Sequence, residues 1–338
     1  MLDFDEFQEY VKDNIGNFLP SEFEDAEIVL NTVRKNNGKD LHAINIRIPS
    51  SNITPNIYLE PFYENYSEHG MELEVCLERI VELELEHMDP SQEFKEVANK
   101  IMDIDFVKER VIMTVVNAEK NAEMLQGIPH KLTEDLAIIY KIYLGGDADG
   151  IGTVTVKNEY LEKWGISVTE LHEWALENSK TLMPVKVQDM GSLLRESMGD
   201  LMDGMPMVSE EEMMYVVSNE KKVNGAASII YSDALEKLAE KLGTDLYVLP
   251  SSIHEIIVIS AEHGTPEELA AMVREVNATQ VAIEEQLSDH VYKYDAHEKT
   301  LSLADCKVED LQISKVSEDK AQYEAVNNEA ARMPRHHR

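Results

Sequence analysis

Phe4, Phe7, Val11, Ile15 and Phe18 fall three or four residues apart at the start of the chain, and by residue 27 that period has given way to short apolar runs broken by turn residues. A chain that switches from helical to strand-like patterning in blocks predicts an α+β fold. The first stripe predicts a helix over residues 3–18. Extended segments are expected at Glu27–Val33, Leu41–Ile48 and Asn56–Leu59. Asn36-Asn37-Gly38 lies between the first two and predicts a hairpin, because Asn and Gly tolerate positive φ. Helices follow at Pro61–His69 and at Glu72–His87, the second with Leu73, Leu77, Ile80, Val81 and Leu85 turned inward. The N-terminal unit therefore reads αβββαα over residues 1–90, and Asp89-Pro90-Ser91 breaks it, since proline restricts the residue before it.

A larger mixed β-sheet region with covering helices is expected over residues 91–305. Its elements are a helix near Glu93–Ile101, strands at Arg110–Val116 and Leu136–Leu144, and a hairpin returning through Gly152–Lys157. A helix over Thr169–Ser179 is introduced by Ser167 or Thr169 and faces Leu171, Trp174 and Ala175 inward. Further on, Met214–Val217, Asp245–Leu249, Glu255–Ser260, His290–Tyr294 and Thr300–Ala304 read as strands. Ser232 or Asp233 caps a helix carrying Leu235, Leu238 and Leu242 and closed by Gly243, and Pro266–Val276 is a helix burying Leu269, Met272, Val273 and Val276. Seven methionines crowd residues 190–214, which suits either gap-filling in a core or an adaptable surface insert. Residues 306–338 lose apolar periodicity and read as a flexible acidic-to-basic tail.

The chain has 338 residues, 43% of them apolar, so material for a packed core is ample. Against 31 Lys and Arg stand 65 Asp and Glu, a formal net charge of −34. That field repels nucleic-acid phosphates and anionic membrane surfaces and favours a basic protein partner. No apolar stretch is long enough to span a membrane. MLDFDEFQEY has no basic start and no apolar run, so no signal peptide is expected and the cytoplasm is the expected compartment. Cys76 and Cys306 lie far apart without metal-ligand spacing, and Cys76 is expected to be a buried small hydrophobe.

Three stretches look familiar together: KNNGKDLHAINIRIPSSNITPNIYLEPFYENY at 35–66, LTEDLAIIYKI at 132–142 with WGISVTELHEWALENS at 164–179, and VNGAASIIY, LYVLPSSIHEIIVI and MVREVNATQVAIEEQLSDHVYKYD between 223 and 295. They resemble an uncharacterised bacterial family of unknown function, common in gut Clostridia-type bacteria and their mobile elements, over roughly residues 1–295. The resemblance implies no activity, cofactor or catalytic residue.

Individual motifs give little chemistry. Asp147-Ala148-Asp149-Gly150-Ile151-Gly152 matches the start of a calcium loop, but Ile151 and Asn158 stand where ligands are required, and a hairpin is the better account. No phosphate-cradling glycine loop, HExxH or CxxC occurs, and no cofactor or metal site is expected. Tyr58, Phe62, Tyr63 and Tyr66 alternate with Glu60, Glu64 and Glu68 where a nucleic-acid surface would carry Lys or Arg, so the patch belongs to a core or a protein contact. The catalytic candidates are Ser252 (with Ser251 beside it), His254, Asp289 and His290, which would supply nucleophile, base and orienting acid if the 250–290 loops met at one sheet edge. The same residues suit ordinary turns, and no GxSxG elbow is present. Binding candidates are Asn277, which also suits a helix C-cap, and Met202, Met205 and Met207. The expected function is a non-catalytic acidic binding or regulatory protein acting through protein contacts. The alternatives are a hydrolase using the 250–290 loops and a nucleic-acid charge mimic.

Overall fold

A computed structural model describes residues 1–49, 54–87, 100–147, 150–198, 214–250 and 252–305. It is α+β, and every described strand pairing is antiparallel.

Helix α1 (Phe4–Asn14) opens with a capping box in which Asp3 accepts from the Glu6 amide and Glu6 from that of Asp3, before a 3-10 turn at Ile15–Asn17. Strands β1 (Glu27–Arg34), β2 (Asp40–Arg47) and β3 (Ile57–Tyr58) form a sheet in that order. The β1–β2 ladder runs in continuous register from Glu27↔Arg47 to Arg34↔Asp40. Its tip is the expected Asn36-Asn37-Gly38 turn, with φ of 58° at Asn37 and 69° at Gly38. Helices α2 (Glu60–Ser67) and α3 (Leu73–His87) complete the αβββαα order. Phe7, Val11, Ile15, Ile44, Leu59, Leu77 and Ile80 fill the core between sheet and helices; of the aromatic patch Phe62 is buried, and the half-buried Tyr63 and Tyr66 pack against that core, Tyr66 stacked on Phe7.

Cys76 is fully buried there, as expected. One inward position differs from expectation. Leu85 is 39% exposed, whereas Glu84 is completely buried. At about 100° per residue, the arc through Cys76, Leu77, Ile80 and Val81 centres on position 84 and leaves position 85 at its rim.

The larger region divides into two sheets. In the first, β6 (Leu136–Asp147) is central. It pairs with β4 (Val111–Asn117) along one edge and with β5 (His130–Thr133) and then β7 (Gly150–Thr155) along the other. Gly145↔Gly152 and Asp147↔Gly150 make the glycine-rich stretch a hairpin. Short helices α4 (Ile104–Lys108), α5 (Ala122–Leu125) and α6 (Asn158–Trp164) border this sheet. Strand β4 is buried on both faces. Its outer edge is sealed by α7 (Val168–Leu182): Met113 N–H donates to Ser179 Oγ at 3.0 Å, and Asn178 Nδ2 reaches the carbonyls of Lys108 and Val111. Ser167 caps α7 in a capping box with Glu170.

The second sheet has six strands, β8 (Val185–Asp189), β9 (Tyr215–Asn219), β10 (Leu246–Leu249), β11 (Ile256–Ser260), β12 (Tyr292–Asp295) and β13 (Thr300–Leu303), in the order β13-β12-β10-β11-β9-β8. Its inner face packs with the first sheet, α7, α9 (Ser228–Tyr231) and α10 (Ala234–Leu242) into one core around Met113, Tyr140, Leu171, Val217 and Val258. Helix α8 (Met190–Met198) follows β8, and α11 (Pro266–Thr279) covers Leu249, Ile259 and Val291 on the outer face.

Strands β5 and β8 and helices α4, α5 and α6 were not anticipated, and the mostly apolar residues 226–231 are helical. On α11, Met272 and Val276 are 49% and 36% exposed against the expectation that both are buried. Asn277 lies inside that helix and is buried, not a C-cap; Gln280 holds that position. Most of the helix expected at 93–101, the methionines Met202, Met205, Met207 and Met213, and the expected tail 306–338 lie outside the described residues. Among the described residues, no helix is long and apolar enough to cross a membrane.

Candidate functional site

The 250–290 loops do meet the body of the protein, and Ser252, His254, Asp289 and His290 each face specific partners. Ser252 is buried and its Oγ accepts the His254 amide at 3.0 Å. His254 Nδ1 accepts the Asn224 amide at 3.3 Å, which places the ring proton on Nε2, 3.6 Å from Glu285 Oε1. Asp289 accepts from Asn277 Nδ2 at 2.7 Å and from Lys120 Nζ at 3.1 Å. Burial pushes the Asp289 carboxyl up, but Asn277 and Lys120 outweigh it and hold its pKa below the usual value. His290 Nδ1 stands 3.1 Å from Asp305 Oδ2. A nucleophile–base–acid relay needs a hydroxyl on an imidazole nitrogen and a carboxylate on the other. Among these contacts Ser252 meets the backbone of His254, His254 faces Glu285, and Asp289 faces Lys120. Ser251 lies outside the described residues.

A second cluster joins the three sheets. Asp135 accepts from Ser288 Oγ at 2.6 Å, from the Tyr292 hydroxyl, and from Asn117 Nδ2 at 3.3 Å. Burial first, and Asp135 second, push the Tyr292 phenol well above its ordinary pKa, so it stays a donor. Asn277 Nδ2 also donates to the Ser288 carbonyl. The hairpin tip enters the same seam: Asn37 Nδ2 donates to the carbonyls of Ile283 and Gln286 at 2.7 Å each, Asn36 Nδ2 to that of Glu284 at 2.9 Å, and Asn121 Nδ2 to Asn37 Oδ1 at 3.0 Å. Each donor meets an acceptor on another element, as a load shared between packed units requires.

A cleft of about 280 Å³ opens on the outer face of the second sheet. Cross-strand neighbours Lys186↔Ser218 and Gln188↔Val216↔Ile257 form its floor, because these positions share one face of the pleat. Met190 and Leu193 of α8 form a wall, and Lys222 and Glu255 also line the cleft. The wall is anchored by Asp189, whose carboxylate takes the Ser192 amide and hydroxyl at 2.7 Å each. The Lys222 loop is tightly built. The fully buried Asn219 accepts the Lys221 amide at 3.0 Å and donates to the Val223 carbonyl at 2.8 Å, and Lys222 and Asn224 both hold positive φ, 55° and 52°. At Gly225 a Cβ would overlap Ser218 Oγ and come within 2.5 Å of the His254 carbonyl, so only glycine fits.

Helices α1, α2 and α3 repeat one further pattern. Carboxylates recur every fourth residue, as Asp5, Glu9 and Asp13, as Glu60, Glu64 and Glu68, and as Glu74, Glu78, Glu82 and Glu86. The α3 row is exposed throughout and has no ion pair among the described residues. Residues 1–87 hold 19 Asp and Glu against 6 Lys and Arg.

A family model for a family of unknown function, DUF5688, matches residues 4–296. The chain belongs to DUF5688. No curated protein and no solved structure matches it. The DUF5688 match spans all three sheets as far as the end of β12, and so includes both the polar seam and the cleft. In this DUF5688 chain, sequence patterning missed Asp135, Asn117, Asn121 and the cleft lysines. The available signals were weak ones: Asp135 sits in a tight turn after Glu134 at φ 52°, and Asn117 caps the loop leaving β4 by accepting the Lys120 amide.

Proposed function

We propose that the protein works by binding, and that it engages a basic protein partner through the acidic helices of its N-terminal unit. The observation that carries this is the α3 row, Glu74, Glu78, Glu82 and Glu86, exposed on one helix face. Like charges at i,i+4 destabilise a helix by about 0.2–0.5 kcal/mol per pair, and cations laid along the row relieve that repulsion. The α1 row adds to the acidic charge of the same unit. A nucleic-acid mimic is a narrower version. The row offers one charge per about 6 Å of helix axis, sparser than one per about 3.4 Å along a DNA strand, which favours a basic protein surface in general over a groove shaped for a phosphate backbone. A hydrolase draws less support, since the hydrogen bonds around Ser252, His254 and Asp289 run to backbone, Glu285, Lys120 and Asn277. The proposal places the protein in the cytoplasm, where a buried thiol such as Cys76 stays reduced.

The test is anisotropy titration of a labelled lysine-rich peptide. A Glu74→Gln/Glu78→Gln/Glu82→Gln variant is compared with Glu262→Gln/Glu267→Gln/Glu275→Gln, which removes the same charge from exposed positions elsewhere. The α3 variant should lose at least about fivefold in affinity and the control less than about twofold. Raising salt from about 50 to about 200 mM should weaken wild-type binding. Equal losses in the two variants, or binding indifferent to salt, would overturn the proposal.

A further inference from the structure

We propose that the cleft between β8, β9, β11 and α8 is a binding site for a small amphipathic carboxylate, a singly charged acid head on an apolar body. Charge is the first reason. In a chain of net charge −34, Lys186 and Lys222 line one cavity, and neither has an ion pair among the described residues. With Glu255 in the same lining, the cavity carries a net single positive charge, which a monoanion neutralises. A dianion such as phosphate would face Glu255, no arginine fork is present to hold it, and at the start of α8 the Ser192 amide is already taken by Asp189.

Shape is the second reason. Beside the uncharged polar Gln188, Ser218 and Asn219, the residues Met190, Leu193, Val216 and Ile257 give the lining an apolar surface, suited to an aliphatic body. At about 280 Å³ the cavity sits at the small end of ligand sites, which suits a short-chain acid. Pre-organisation is the third. Lys222 is held on a loop with two non-glycine residues at positive φ, braced by Asn219 and by the close approach at Gly225. Such backbone strain persists only where surrounding contacts fix it, and here it fixes the backbone that carries Lys222 at the edge of the cavity.

Calorimetric titration with hexanoate, hexylamine and inorganic phosphate tests this on the full chain. Hexanoate should bind at one site with a dissociation constant of about one millimolar or lower, phosphate more weakly, and hexylamine not at all. Lys186→Gln and Lys222→Asn should each weaken hexanoate at least about fivefold while melting temperature and circular dichroism stay unchanged; asparagine tolerates the left-handed backbone at that position. Glu255→Gln should tighten hexanoate by removing the like charge. The proposal fails if hexanoate does not saturate, if hexylamine or phosphate binds as tightly, or if neither lysine substitution alters binding.

Discussion

His172 shows how a single side chain ties the interior to pH. Its Nδ1 lies 3.0 Å from the hydroxyl of the buried Tyr140, and the rings meet edge to face. Burial first, then Lys131, hold its pKa below the ordinary 6.5, with Glu173 opposing. The folded protein therefore favours the neutral ring, and stability from this residue is present above pH 6.5 and lost as pH falls through the depressed value. Melting curves between about pH 7.5 and about pH 5 should show that loss in the wild type and a shallower one in His172→Gln. An identical slope in both would mean that other groups set it. Residue identity alone concealed such roles. Asn277 suits a C-cap because it is polar, and nothing in the pattern marks Glu84 as inward, yet each lies close to the centre of its helix's buried arc. Leu85, Met272 and Val276 were placed inward because they are apolar, and they stand at the rims.

At the level of elements, helices with strong signals were legible: the capping boxes at Asp3, Ser167 and Thr265 mark the starts of α1, α7 and α11, and Gly243 at φ 70° ends α10. Strands β5 and β8 were not, because their four and five residues mix charged and apolar side chains and draw their order from pairing with β6 and β9. The β4–α7 contact yields an element-scale prediction. Ser179→Ala leaves the buried Met113 N–H without its acceptor and should cost about 1–3 kcal/mol in urea unfolding. A loss under about 0.5 kcal/mol would show that the edge of β4 tolerates an orphan donor. Which strands would enclose the cleft was likewise not readable beforehand, since Lys186, Ser218 and Glu255 come together only through the β8-β9-β11 order.

Across the whole molecule, the α+β class and the αβββαα order of the N-terminal unit were readable, whereas the seam that locks that unit to the rest was not. Asn36-Asn37-Gly38 announces a turn, but nothing in it announces that both asparagines reach the 283–286 backbone. Asn37→Gly keeps the positive φ and removes those side-chain bonds. We expect a loss of about 1–3 kcal/mol, with faster amide exchange confined to the hairpin tip and residues 283–286. Uniform acceleration, or none, would place the lock elsewhere. The seam also orders events during synthesis. The hairpin emerges from the ribosome early, but the carbonyls it must reach belong to residues more than 240 positions downstream. The first unit can bury its own core while the chain is still being made, yet its asparagines wait in water until residues 283–286 have been added, so docking is a long-range step in which chains interrupted before that point stall.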